Sequence, residues 1–536
     1  MTQPFMKTVS CTISTLSLVH IGCEEDYYPT NYVIDGGFLH HFSEEGLLGA
    51  LSLNEKKQLA KLSEEQNDDG IKKLQAFIYD KKTSLQNYAT HNVPVSKELE
   101  KFYISRIGKT AQHEGGGRKV DNKLAIARHA FNPYSQTPYF AGSSIKGAMR
   151  TALLNAENKG SPLNERLSEN YPAKTSNRQL QEDLLKYKGI PEDPLRLLKV
   201  GDATYQHPDA LHGLEIRFAV NRKNKASKEK SMAETKGLYQ LLECLPAHRS
   251  RSLNFDLSFL ADKNLNYRWD VQQIAKACNA FFLPQLEKEL ALMQQLNYAN
   301  SAWLTGLEKL LASELNEALK NNQAFLLRIG QHGGAESNTL EGVRHIKIMQ
   351  GKNPAKYLSK PTTIWLAGDN KDQQHDLLPF GWVLVEIGQT DLKQTAQFLK
   401  NQAEPDYQRQ QQLQVLAIQK TEFLNQQRLE REKRQQQEQE HIEQQRQQNE
   451  AEQAKQQKLA NMTEAQKRVF ELTEALEKDK NPDPNGTLRQ TLTSTLKQAE
   501  TWTTEEKQAL LAIGNTLCSL WGKPKKLKDQ LKTLQG

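Results

Sequence analysis

The stretch Phe140–Asn155, FAGSSIKGAMRTALLN, sets the reading of the whole chain. It opens as a glycine–serine turn and becomes an amphipathic helix. Ile145, Ala148, Met149, Ala152 and Leu153 recur at the spacing of one buried helical stripe. Lys146 and Arg150 fall off that stripe, four residues apart on one face, where like charges repel by about 0.2–0.5 kcal/mol. Both also sit in the first two turns, where the helix dipole disfavours cations. An anion held over Gly142, Ser143 and Ser144 removes both penalties, because backbone N–H groups and hydroxyls converge there. The alternative is a surface helix carrying two bases and no ligand. Local physics leaves both readings open.

Outward from this helix, the chain before Ile387 alternates β-branched apolar runs with Gly and Pro. TVSCTISTLSLVHIG, LEIRFAV, SLNFDLSFL, AFLLRIG, TTIWLAG and PFGWVLVEI are strand candidates. Helical patterns fall near 44–65, 145–156, 178–188, 269–297 and 303–320. Interspersed strands and helices predict an α/β or α+β architecture. From Gln408 to Gln457 nineteen of fifty residues are Gln, without a sustained heptad, so a long solvated helical linker is expected there rather than a coiled coil. NMTEAQKRVFELTEALEK then predicts a helix capped by Thr463, and TWTTEEKQALLAIGNTLCSLWGK another with Thr504 as its cap. The basic run GKPKKLKDQLK closes the chain.

Composition narrows the function classes. A net charge of +7 over 536 residues permits a nucleic-acid partner without requiring one. The five cysteines are scattered and form no C-x-x-C pair, which argues against a disulfide framework or a thiolate zinc site. No apolar run reaches the ~20 residues of a membrane span, and the start lacks a signal-peptide pattern, so a cytoplasmic protein without membrane contact is expected. H-E-x-x-H, G-x-S-x-G and the P-loop pattern are all missing.

Gly142–Thr151, Gly-Ser-Ser-Ile-Lys-Gly-Ala-x-Arg-Thr, resembles the signature of the RAMP superfamily of CRISPR-associated RNA-binding proteins. Further similar stretches follow in family order. LSLVHIGCEEDYYPTNYVID (Leu16–Asp35) is similar to the first strand and its loop. DPLRLLKVGDA (Asp193–Ala203) and LEIRFAVNR are similar to the middle section. FLLRIGQHGGAESNTL (Phe325–Leu340) resembles the glycine-rich loop, and LLPFGWVLVEI the last strand. The set covers roughly residues 7–390 and most resembles the subunit capping the crRNA 3′ end of type III-A (Csm-type) effector complexes. The Gln-rich segment and the helices after it have no counterpart in the family.

The resemblance implies an α+β chain with two ferredoxin-like (RRM-like) domains carrying helical insertions, over 1–262 and 263–395. A Gln-rich helical linker, 396–460, and a small α-helical module, 461–536, would follow. It implies a non-catalytic subunit that binds crRNA through its backbone, beside other type III subunits, with target RNA a further candidate partner. The expected phosphate grip consists of Gly142, Ser143, Ser144, Lys146 and Arg150 at the helix. Arg328, Gly330, His332, Gly333, Gly334, Arg344 and Lys347 would form it at the glycine-rich loop, where glycine admits close approach and positive φ. A plain hairpin turn is the alternative at that loop. No cofactor or metal is expected.

Two enzyme readings stay open beside this. Asp35 lies where related RAMP backbone subunits place a metal-binding carboxylate, so Mg²⁺-dependent endoribonuclease action on target RNA or on crRNA during its maturation is the alternative function. Against it, Asp35 would simply turn the chain with Gly36 and Gly37. His20 or His41 as acid and base ranks last, since His20 sits in an apolar strand end. Tyr134 and Tyr139 would stack on bases or pack in the core. The loop His113–Lys123, with Arg118, Lys119 and Lys123, would be a surface loop or a backbone clamp.

Overall fold

The structure, a computed structural model, describes residues 5–65, 68–109, 112–114, 118–120, 124–161, 173–205, 213–226, 230, 234, 237–261, 269–350 and 353–535. The chain forms two compact units, Met1–Leu424 and Asn425–Gly536. Helices and sheets are mixed throughout the first, which makes the fold α+β.

Two five-stranded sheets organise the first unit. One runs Ala324–Arg328, Trp382–Ile387, Met6–Thr15, Leu253–Leu260, Leu198–Val200, antiparallel throughout. The other runs Thr363–Gly368, Glu215–Lys223, Tyr239–Cys244, Ile126–His129, Gly22–Tyr27, with one parallel pair at Tyr239–Cys244 and Ile126–His129. The long apolar run at the start of the sequence serves both. Met6–Thr15 is central in the first sheet, and the chain then crosses by bridges at Leu18 and Val19 to Gly22–Tyr27 at the edge of the second. Each sheet takes strands from both sides of residue 262, so the boundary expected there does not separate the two sheets.

Every strand candidate named in the sequence forms a strand, because each alternates or continues apolar residues against a buried face. Trp382–Ile387 is buried at all six positions, as a strand covered on both faces must be. The helix Val271–Gln295, capped by Asp270, packs on the helix Gly142–Asn158 and on the strand Ala324–Arg328. A third sheet, Tyr32–Asp35, Phe38–His41 and His91–Pro94, carries the Asp35 turn. Among the described residues no helix is long and apolar enough to cross a membrane.

In the second unit, Glu464–Lys478, Thr487–Gln498, Thr504–Leu520 and Lys525–Thr533 surround a core of Leu472, Leu492, Leu496, Leu510, Leu517 and Leu531. Thr463 caps the first of these through a capping box with Gln466. The cap of the third is Thr503, one residue earlier than expected. Thr503-x-x-Glu506 completes the reciprocal box, whereas Thr504 is already helical. The Gln-rich segment is helical over Glu404–Ala460.

Candidate nucleic-acid interface

The signature helix starts at Gly142, so Gly142, Ser143 and Ser144 are its first turn and not a loop before it. An anion does sit at its N-terminus, and it belongs to the chain: Asp202 Oδ1 accepts from the Gly142 N–H at 2.7 Å. Lys146 donates to the Leu198 carbonyl at 2.7 Å. Arg150 donates to Asp193 at 2.8 Å, to Gln181 at 2.9 Å and to the Tyr187 hydroxyl at 3.3 Å. Burial lowers the Lys146 ammonium from its ordinary value, with Lys199 and Arg150 adding to the effect against Asp193. The repulsion within the pair is thus relieved by Asp193–Ala203, the segment similar to the family's middle section. An external phosphate is not needed to explain Lys146 and Arg150.

The glycine-rich loop is likewise anchored inside. Gly330 has φ +82°, and a Cβ there would lie 2.2 Å from the His20 carbonyl oxygen, which accepts from the Gln331 N–H at 2.8 Å. Gly330 therefore serves close packing against the first strand's exit. Arg328 is buried and places its guanidinium 2.7 Å from Glu289, with a second bond to Phe380 O at 3.0 Å. Gly333 and Gly334 lie beside that side chain. His332 stacks on Trp365 with centroids 4.7 Å apart and meets Gln240 at 2.9 Å. Burial, with His20 beside it, holds its imidazole down to about 4. Neither Arg328 nor His332 is placed as a free cation. Arg344 is half-buried near Glu336 and Glu341, at 3.7 and 3.9 Å. Of the five lysines and arginines expected to grip phosphate, Lys347 alone has no internal partner among the described residues.

Helix and loop nevertheless converge. Ser144, Gly147 and Thr151 from the helix line a cleft of about 710 Å³ opposite Gly330, Gln331 and Asn338. His20–Asp26, Ala127 and Arg128 line it as well, with Ala148 on the helix and Arg328 and Ile329 before the loop. Sequence reasoning missed Gly22, Gly147 and Gln331 here. Gly147 was the available signal: it interrupts a helix interior, at a cost near 1 kcal/mol against Ala, yet nothing lies within 4 Å of where its Cβ would be. No packing explains it; the open cleft does. Arg128 is engaged by Glu25 at 3.2 Å and Gln136 at 3.0 Å, over the Phe131 ring.

A two-stranded ribbon, Ile346–Gln350 with Asn353–Leu358, follows the glycine-rich loop. Lys347 sits directly across from Tyr357, half of whose surface is exposed, and His345 lies 4.4 Å from that ring. Lys356 and Lys360 are exposed on the returning strand and just beyond it. Basic side chains interleaved with an aromatic are what a single-stranded nucleic acid needs. Tyr134 is 97% exposed on a turn held by Asn132, while Tyr139 packs against the core. Lys123 and most of the loop His113–Lys123 lie outside the described residues; Arg118–Val120 pairs with Gln112–Glu114.

Asp35 closes a hairpin with Gly36 and Gly37, at φ +62° and +83°, whose N–H groups donate to Glu100. Both of its carboxylate oxygens are engaged, by Lys82 at 2.5 Å and Gln86 at 2.8 Å. Burial raises this carboxyl, but those two hydrogen bonds outweigh it and hold it below its ordinary value. His41 stacks on His91, and burial, with Arg128, pushes it down to about 4. His20 is wholly buried.

Two half-buried histidines carry a pH prediction. Unfolded, His41 and His332 take up a proton near pH 6.5, whereas folded they resist it until about pH 4. Stability is therefore complete above about pH 6.5 and falls as the pH drops towards 4. The urea midpoint at pH 5 is expected below that at pH 7.5; equal midpoints would mean the fold does not hold these rings neutral.

A model of the RAMP superfamily matches residues 12–294. A chain of a cryo-EM structure of a Csm–crRNA–target RNA ternary complex in a type III-A CRISPR–Cas system is similar at 17% identity and TM-score 0.42, over 70% of this chain and 100% of that one. The crystal structure of T. onnurineus Csm5 is similar at 17% identity and TM-score 0.38, over 69% and 99%. Among curated proteins no relative matches.

Proposed function

The chain belongs to the RAMP superfamily, and from that premise we propose that it is a non-catalytic crRNA-binding subunit of a type III CRISPR effector ribonucleoprotein, capping the backbone filament at the crRNA 3′ end. The capping role rests on the ordered motifs from Leu16 to Ile387. The two five-stranded sheets are read as its two RRM-like halves. The observation that carries RNA binding is the cleft where the signature helix and the glycine-rich loop meet, lined by a helix-interior glycine that packing does not require. The ribbon beside the loop supplies exposed charge through Lys347, Lys356 and Lys360. The Mg²⁺-dependent endoribonuclease reading finds less support, since Lys82 and Gln86 hold both oxygens of Asp35.

The test is a gel shift of the full chain with single-stranded RNA across a salt series, with and without EDTA. Binding is expected to be independent of EDTA and to weaken with salt. Lys347→Ala, Lys356→Ala and Lys360→Ala together should flatten the log–log salt slope by about 0.7 for each phosphate no longer neutralised. Lys146→Ala should leave that slope unchanged. No RNA binding at low salt would end this reading, and an unchanged slope in the triple variant would remove the ribbon from it. For the capping role, crosslinks in the assembled complex should fall in the 3′ segment of the guide.

A further inference from the structure

The cleft floor holds an acceptor that the chain itself leaves unused. His20 Nδ1 lies 2.6 Å from the Glu243 carbonyl oxygen. A carbonyl only accepts, so Nδ1 carries the proton and Nε2 presents a bare lone pair. Burial keeps this imidazole from charging, working against the Glu243 bond and Asp26. Nε2 is buried and has no hydrogen-bond partner. A buried acceptor left empty is costly, so a donor from outside the chain gains by reaching it.

Gly22 is what leaves room. A Cβ at Gly22 would stand 3.5 Å from His20 Nε2 and 3.4 Å from the side-chain amide nitrogen of Gln331, with no other atom within 4 Å beyond its own chain neighbours. An acceptor and an amide donor thus flank one small space in the cleft. Glu24, Glu25 and Asp26 line the same wall. Arg128 on this wall engages Glu25, and Glu24 and Asp26, with the lone pair of His20, disfavour a phosphate there. A neutral group that both donates and accepts satisfies both sides.

We propose that this space takes a ribose 2′-hydroxyl of single-stranded RNA, which donates its hydrogen to His20 Nε2 and accepts from the Gln331 amide. The inference rests on the RNA-binding reading above. It assigns the cleft the distinction between RNA and DNA, which a grip on phosphates alone cannot make.

The test compares a short single-stranded RNA with the same sequence carrying 2′-fluoro riboses, which keep the sugar pucker but cannot donate. The full chain is expected to bind the hydroxyl form about fivefold more tightly, the worth of one hydrogen bond. Gly22→Ala puts a methyl at ordinary contact distance from both nitrogens, so its unfolding midpoint should match the parent. It should abolish the preference, so that the hydroxyl and 2′-fluoro probes bind it alike. Equal affinity of the parent for the two probes overturns the inference while the RNA-binding reading stands. A preference that survives in Gly22→Ala overturns the assignment to this space. Failure to bind either probe overturns the RNA-binding reading, and this inference with it.

Discussion

Arg328→Ala is expected to destabilise the Met1–Leu424 unit by about 3–5 kcal/mol, the cost of removing one partner from a buried ion pair. Arg328 is 9% exposed and its partner Glu289 6%. Both oxygens of Glu289 receive Arg328, at 2.7 and 2.8 Å, and one also receives the Trp382 indole N–H at 2.9 Å. The same guanidinium lies over the Trp382 ring, 4.8 Å from its centroid. With the arginine gone, Glu289 stays in the core of the helix Val271–Gln295 with a single neutral donor for a full charge. The chemical denaturation midpoint of the unit should drop accordingly. Arg328→Met with Glu289→Leu should recover most of the loss, since it replaces the pair by apolar volume. A role for Arg328 at a phosphate predicts otherwise: an unchanged midpoint in Arg328→Ala with weaker RNA binding and a flatter salt slope. That outcome would show that the pair with Glu289 opens on binding.

The case of Arg328 marks what sequence reading reaches. Its residue type, its place after a strand and the glycines behind it are all visible in FLLRIGQHGG. Its partner is 39 residues upstream in a helix, and no local pattern names it. The same holds at the signature helix. The stripe Ile145–Leu153 and the strain between Lys146 and Arg150 were legible, because they follow from spacing within one element. A place for an anion followed as one of two open readings. Its identity did not, since Asp193 and Asp202 reach the helix only when Asp193–Ala203 folds back onto it. Strands were found wherever β-branched residues repeat, but their order was not. The order depends on pairings such as Cys11 with Ile387, far apart in the chain. The cleft is the extreme case, built from stretches near residues 22, 128, 147 and 330.

The two glycines of the signature helix should respond to alanine in opposite directions. Gly142 stands at the helix start against the backbone of the neighbouring segment. A Cβ there would lie 2.3 Å from Val200 O and 2.7 Å from Gly201 O, and backbone cannot swing aside as a side chain would. Gly142→Ala must push the helix off that segment and strain the bonds that dock it, Gly142 to Asp202 and Phe140 to Ala203. A loss of about 2–3 kcal/mol is expected, the upper range for overpacking a well-filled site. Gly147 lies five residues on, exposed to the cleft, with nothing near its missing Cβ. Gly147→Ala should raise stability by about 0.5–1 kcal/mol through helix propensity alone. The same methyl enters the cleft, so RNA affinity should fall as stability rises. If Gly142→Ala keeps the parent's midpoint, the helix is not seated on Val200–Gly201. If Gly147→Ala is stabilised and binds RNA as the parent does, the cleft face of the helix is not where RNA lies. A glycine kept at a thermodynamic cost, at a site where alanine would fit, is the feature of the signature that folding does not require; Gly142, which folding does require, says nothing about RNA.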